Sequence, residues 1–232
     1  MDIVEDAVRP QTWAVVPATV LALALAACSK SSETRKKNSD QSNANSTAQA
    51  NSPAGQSGSG PGINLNCVVD HIQNPTDSFH YTYKKDSSSP VHQEADITPQ
   101  TIDGFRVDID GQQHPLHGVR SDAQGWQGAW VGLTGISGMS STVAIINHNA
   151  AMQREADGGN VNGYNTIHYS IDTARFDAAE SRMLLSPGDS EKGDAWVTSE
   201  GCPVKLGLDS ELHRKDGTLI EKIHYEVSMV KK

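Results

Sequence analysis

The side chains most able to do chemistry in this 232-residue chain are three cysteines and nine histidines. Every histidine follows residue 70, and their spacing argues against a metal centre. The closest pair, His114-Pro-Leu-His117, reads as a Gly/Pro-containing turn, and His80, His168, His213 and His224 fall on the polar faces of expected strands. Structural zinc sites draw their ligands from short fixed spacings. Neither Cys67 nor Cys202 has a second Cys or His placed to make such a set. Gly135-Ile136-Ser137-Gly138-Met139 begins like a nucleophile elbow but lacks the final glycine, and it follows a helical segment where the elbow needs a strand. No glycine loop follows a strand in the manner of a phosphate cradle. The chain is therefore expected to be no enzyme, with no metal and no cofactor.

The thiols remain. Trp13 to Ala27 is an uncharged apolar run, shorter than the roughly 20 residues that span a bilayer, and it ends in Leu25-Ala26-Ala27-Cys28. Small residues before a cysteine suit a peptidase cleft that leaves the thiol at the new terminus. The segment resembles a bacterial lipobox, which implies a diacylglyceryl group on Cys28 and cleavage before it. Two or three acyl chains, at ~0.8 kcal/mol per buried methylene, anchor stably where one is marginal. Ser29 stands where Asp commonly signals inner-membrane retention, so the resemblance favours the outer membrane, facing the periplasm. The alternative is a plain secretory signal cleaved near Ala27. Met1–Thr12 sums to −2 where a signal should begin positive, and initiation at Val8 would leave Arg9 alone ahead of the apolar run. With Cys28 acylated in an exported chain, Cys67 and Cys202 are left to pair. Two buried free thiols are the alternative, since pairing needs α-carbons within about 7 Å.

Composition divides the chain into three. Overall it is 36% hydrophobic and 20% charged with a net charge of −9, which excludes a polytopic membrane protein, a wholly disordered chain and a nucleic-acid binder relying on a global positive field. Residues 1–27 form the signal. Residues 28–62 hold the lipidated cysteine and a tether whose positions 29–62 contain no Val, Ile, Leu, Met, Phe, Tyr or Trp, so nothing there offsets the entropy of ordering it. Its root-mean-square reach is roughly 30–35 Å. The signal carries −2 and the tether +2, so the −9 belongs to residues 63–232, long enough for one core.

The elements that position side chains in 63–232 are mostly strands. Phe79, Tyr81 and Tyr83 alternate with polar residues, as do Phe105, Val107 and Ile109, then Ile167, Tyr169 and Ile171, and at the carboxyl end Val204, Leu206, Leu208 and Leu212 followed by Ile223, Tyr225, Val227 and Met229. This is the pattern of an antiparallel sheet wet on one side. Asp110-Gly111, Asn162-Gly163 and Asp216-Gly217 supply turns. Leu65, Val68, Val69 and Ile72 predict a short amphipathic helix ended by Pro75, with Cys67 off its apolar stripe under a loop at Glu200–Pro203. A second helical segment spans about Gln127 to Glu155, broken near Gly135–Gly138, and a third spans Ala174–Leu185 with Phe176, Ala179 and Met183. The fold class is α+β.

The stretches Val161-Asn162-Gly163-Tyr164-Asn165-Thr166-Ile167-His168-Tyr169-Ser170-Ile171 and Asp194-Ala195-Trp196-Val197-Thr198-Ser199-Glu200-Gly201-Cys202-Pro203-Val204-Lys205-Leu206, behind a lipobox and tether, resemble the periplasmic lipoprotein-carrier superfamily of LolA, LolB and the LppX/LprG lipoproteins. The resemblance implies an unclosed, strongly curved half-barrel sheet with helices on its concave face and an apolar cavity for acyl chains. It departs from LolA in carrying its own lipid, and no counterpart of LolB's membrane-inserting loop is found. The expected function is binding of a lipid, lipoprotein or other apolar ligand without catalysis. Candidate cavity residues are Phe79, Tyr81, Phe105, Trp126, Trp130, Leu133, Ile167, Tyr169, Leu206, Tyr225 and Val227. The competing expectation is a protein-interaction module whose aromatics fill the core. Membrane contact is expected through acylated Cys28, no nucleic acid is expected, and no protein partner is named. Replacing Cys28 by Ser is expected to shift the chain from the membrane to the soluble envelope fraction and to abolish fatty-acid labelling, read by fractionation and mass spectrometry.

Overall fold

Nine strands, several of them built on alternating apolar residues, organise residues 60–232, the part of the chain that a computed structural model describes. The expected signal, Cys28 and most of the tether lie outside the described residues. In chain order the elements are helix α1 (Leu65–Gln73), strands β1 (Phe79–Asp86), β2 (Val91–Ile97), β3 (Thr101–Val107) and β4 (Gln113–Val119), helix α2 (Ala123–Gly132), a 3₁₀ segment (Thr134–Met139), helix α3 (Ser140–Ile146), strands β5 (Met152–Val161) and β6 (Tyr164–Asp172), helix α4 (Ala178–Leu184), and strands β7 (Ser190–Val197), β8 (Pro203–His213) and β9 (Leu219–Lys231).

All strands join one antiparallel sheet in the order β4-β3-β2-β1-β9-β8-β7-β6-β5. It is two meanders joined where the first strand pairs with the last, Tyr81 opposite Met229 and Tyr83 opposite Val227. The sheet is not closed: β4 and β5 are its two edges. Because β4 and β5 are consecutive in the chain, the segment between them must travel from one edge to the other. A flat nine-strand sheet is ~38 Å wide, and α2, the 3₁₀ segment and α3 laid end to end reach about that length. The two halves of this crossover, Ala123–Gly132 and Thr134–Ile146, meet at a bend of 43°. No single described helix is long and apolar enough to cross a membrane. The bent pair passes that test on length and composition, but its apolar residues Trp126, Leu133, Ile136, Met139, Val143 and Ile146 are buried in the core.

Local chemistry explains the crossover. Asp122 caps α2 by accepting from the backbone N–H groups of Gln124 and Gly125. Two glycines let α2 ride close on the edge strand: a Cβ on Gly118 would lie 2.8 Å from the Ala129 Cβ, and one on Gly132 would lie 2.6 Å from Leu116 Cδ2. Gln93, on the core face of β2, spans the break in the crossover. Its Nε2 donates to Gly132 O at 2.7 Å and its Oε1 accepts from Gly135 N–H at 3.1 Å.

The expected turns are present, with positive φ at Gly111, Asn162, Gly163 and Gly217. The helix at Leu65 runs to Gln73, ending ahead of Pro75. Other expectations are corrected. The second helical segment begins at Ala123, not Gln127, and ends at Ile146, so that Met152–Glu155 belongs to edge strand β5. His114-Pro-Leu-His117 is not a turn but edge strand β4, where Pro115 is tolerated because an edge leaves backbone groups unpaired. The third helix begins at Ala178, after a capping box of Asp177 and Glu180, and buries none of its residues: Phe176, before it, is in the core, while Met183 is 68% exposed. Leu133 sits at the crossover's bend with no accessible surface. Leu133→Ala is expected to lower unfolding free energy by about 2–5 kcal/mol, measured by urea denaturation of the full Cys28→Ser chain.

Candidate functional site

The candidate cavity residues separate by the face of the sheet they occupy. Phe79, Tyr81, Trp126, Leu133, Tyr169, Leu206, Tyr225 and Val227 are buried in one hydrophobic cluster, and Trp130 and Ile167 are partly buried against it. Phe105 is not among them. Its partner across the ladder is Glu94, and it stacks edge-on against His92 with ring centroids 5.2 Å apart, on the face opposite the core. The core face of β3 is carried by Ile102 and Gly104, since these pair with Ile97 and Ala95 of β2. Phe105 and Val107 do share a face, as their alternation predicts, but it is the other one.

Between the crossover and the sheet the packing is tight. Tyr81, Leu133, Ile136, Met139, Ile146 and Met229 have no surface that a water molecule could touch, whether from outside or from an internal void. Polar groups within the buried cluster include the hydroxyls of Tyr81 and Tyr169, both without a hydrogen-bond partner, and the side chains of Gln93 and Glu191. The Tyr81 hydroxyl is fully buried and has no hydrogen-bond partner, and burial pushes its pKa well above the ordinary value. Gln93 is satisfied by the crossover backbone, as above. Glu191, at 3% exposure on β7, accepts from the Ser210 hydroxyl of β8. Its backbone N–H donates to Thr173 Oγ1 at 2.9 Å. Burial is the main cause that pushes the Glu191 carboxyl up to about 7; the Ser210 bond opposes this and the charge of Asp189 adds to it. Tyr225, beside it in the core, has its pKa raised, first by burial and then by the charge of Glu191.

A second cluster joins α1 to the β7–β8 loop. Cys67 and Cys202 form the expected disulfide, their α-carbons 5.3 Å apart. Beside it stands His71, which the spacing argument passed over although it lies four residues after Cys67 on the same face of α1. Its Nδ1 is 2.8 Å from the Cys67 carbonyl oxygen, 3.4 Å from Cys67 Sγ and 3.9 Å from Cys202 Sγ. These three are the one group of metal-ligating side chains within 4.8 Å of each other among the described residues.

The face opposite the core carries most of the other histidines, and the expected solvated histidines prove to be paired across strands. His80 Nδ1 meets Asp96 at 2.7 Å, His117 Nδ1 meets Asp103 at 2.5 Å, His168 Nε2 meets Asp194 at 2.8 Å and His224 Nδ1 meets Asp209 at 2.6 Å. The Asp209 hydrogen bond raises the His224 pKa, and bonds from Lys232 and then His80 lower that of Asp96. His213 departs from the expectation: it is largely buried next to Asp189, whose Oδ1 accepts from its backbone N–H. A surface cleft of about 380 Å³ opens on the hairpin ends of this half of the sheet, lined by Lys84, Pro90, Val91, His92, Val107 and Ile109; no candidate residue lines it, and Phe105 alone adjoins it through the His92 ring. No protein-family model matches the chain, and no curated protein matches it.

Glu191 provides a pH test. Its carboxyl titrates near 7 when folded and near 4.5 when unfolded, so over that window the native state holds the extra proton and stability falls as pH rises. Glu191→Gln, which keeps an acceptor for Ser210 and cannot ionise, is expected to match the parent near pH 4, below the unfolded-state pKa, and to exceed it by up to ~3 kcal/mol at pH 8 in urea unfolding.

Proposed function

We propose that this protein is an envelope-tethered carrier that takes a lipid or other apolar ligand between the crossover and the central strands, without catalysing a reaction. The observation that carries the reading is the crossover itself, an apolar strap laid from one sheet edge to the other above a buried, unpaired Tyr81 hydroxyl. An orphaned hydroxyl costs about 1–3 kcal/mol in a finished core, and a ligand's polar group entering beneath the strap would satisfy it. Toward the sheet the strap is held by the Gln93 pair, while Trp126 and Asn147 bond the backbone of Gln73 and Ile63 beside α1, and the contact made by Leu133, Ile136, Met139, Val143 and Ile146 is apolar and exchangeable for acyl chains.

In this reading the sheet curves around the strap as in the lipoprotein-carrier superfamily, which the Asn162-Gly163 and Gly201-Cys202 stretches resemble. Acylated Cys28 holds the domain at the outer membrane, on its periplasmic side, and the acidic domain stands off an anionic surface while the tether lets it reach. Because the layer beneath the strap is filled when empty of ligand, uptake displaces Leu133, Ile136 and Met139 together with the strap.

That filling favours a second reading, an interaction module with a permanently packed core that binds a protein through edge strand β4 or β5. The full chain carrying Cys28→Ser, isolated from its own envelope and weighed by native mass spectrometry, separates the two. A stoichiometric acyl-containing ligand, displaced by a fluorescent fatty acid, is the expected result. An empty chain that takes up no fluorescent fatty acid, even from phospholipid vesicles, overturns the carrier and leaves the packed module.

A further inference from the structure

The cluster at the foot of α1 is used by neither reading. Cys67 and His71 lie one turn apart on α1, and the β7–β8 loop presents Cys202 to both. The chain is pinned there by more than the disulfide: the Asn64 N–H donates to the Gly201 carbonyl at 2.8 Å, and Asn147 of the crossover both accepts from Ile63 N–H and donates to Ile63 O. Loss of the S–S bond therefore leaves the three side chains held close by backbone contacts on both sides.

The distances suit a tetrahedral metal. With Zn–S of ~2.3 Å and Zn–N of ~2.0–2.1 Å, tetrahedral ligands place sulfur and nitrogen ~3.6 Å apart and two sulfurs ~3.8 Å apart. His71 Nδ1 already sits 3.4 and 3.9 Å from the two sulfurs. The sulfurs must part, by side-chain rotation about α-carbons 5.3 Å from each other, and the His71 ring must turn its Nδ1 from the Cys67 carbonyl toward them.

We propose that in its dithiol state this protein binds one thiophilic divalent cation, zinc or its analogues, through Cys67 Sγ, Cys202 Sγ and His71 Nδ1, with water in the fourth position. The crosslink and the metal site are mutually exclusive states of the same residues. A dithiol reductant opens the site: it delivers two electrons and two protons to the S–S bond and leaves as its own disulfide. Metal entry then releases both thiol protons to solvent. The Nδ1 proton that His71 shares with the Cys67 carbonyl gives way to the metal, leaving the ring protonated at Nε2. A zinc-loaded chain resists oxidation to the disulfide, and an oxidised chain takes no metal, so the pair reports the redox state in which the chain folded.

The test uses the full chain with Cys28→Ser, so that Cys67 and Cys202 are its only thiols. Reduced with a phosphine and titrated with Co²⁺ under argon, it is expected to bind one equivalent, with thiolate-to-cobalt charge-transfer absorption that Zn²⁺ displaces. Oxidised protein and Cys202→Ser are expected to show no such band, and His71→Ala to weaken binding at least about tenfold while still forming the disulfide. Absence of the band in reduced protein, or an unchanged affinity in His71→Ala, overturns the proposal. If reduction unfolds the chain, as circular dichroism would show, one equivalent of Zn²⁺ is expected to restore it, and failure to do so also overturns the proposal.

Discussion

The architecture hangs on the pairing of β1 with β9. Each half of the chain forms a meander by itself, β1 to β4 and β5 to β9, in which every strand lies beside its sequence neighbour. Joining the first strand to the last fuses the two into one nine-stranded sheet, and it sends β4 and β5 to opposite edges. The residues between them then have no short path. They run as α2, the 3₁₀ segment and α3, whose buried residues Trp126, Leu133, Ile136, Met139, Val143 and Ile146 share one hydrophobic cluster with the apolar residues of the strands. Long-range pairing of this kind carries a loop-closure cost, offset here by the length of β9 and the burial of Tyr81, Tyr83, Val227 and Met229 along the seam.

Placing a strap over a sheet leaves backbone groups at its break that only side chains can satisfy. Gln93 does this for Gly132 and Gly135. At the entry to the strap, the Trp126 indole N–H and the Arg120 guanidinium both donate to the carbonyl of Gln73 at the end of α1, and Arg120 stacks 4.8 Å over the Trp126 ring. α1 and the strap are thus one unit, and the disulfide that holds α1 to the β7–β8 loop also restrains the strap. Closing so long a loop is worth roughly 4–5 kcal/mol in the chain-entropy account. Tyr81 and Glu191, by contrast, subtract from stability, one by an unpaired hydroxyl and the other by a carboxyl that must stay protonated or face a desolvation penalty.

Much of this was legible from residue order. The α+β class, the turns with positive φ, the helix at Leu65 and the pairing partner of Cys67 all follow from local pattern, because each depends on neighbours within a few residues or on the elimination of other thiols. β2 and β4 were not legible: Val-His-Gln-Glu-Ala-Asp-Ile and Gln-His-Pro-Leu-His-Gly-Val carry no clean alternation, and they are strands because β1 and β3 offer them ladders. The helix boundaries in the strap moved because Asp122 caps earlier than the apolar stripe begins and the edge strand claims Met152–Glu155.

Phe105 marks the limit most sharply. Period-two alternation states which residues share a face, and by itself the chain determined that Phe105 and Val107 do. Which face is covered is a property of the neighbours. Ile102 and Gly104 meet Ile97 and Ala95 across β2, and α2 packs against that side, so the aromatic ring of Phe105 ends beside Glu94 and His92 on the outer face. His71 shows the same division: its place one turn from Cys67 is written in the chain, but its approach to Cys202 exists only because a loop about 130 residues later folds back over α1. Glu191 is likewise an ordinary strand carboxylate until Ser210 of β8 and Thr173 after β6 close on it in the core. The sequence by itself determined the strand alternation and the turns, which are short-range. Only the tertiary structure decided which face became the core and which polar groups were trapped in it, because burial is conferred by residues distant in the chain.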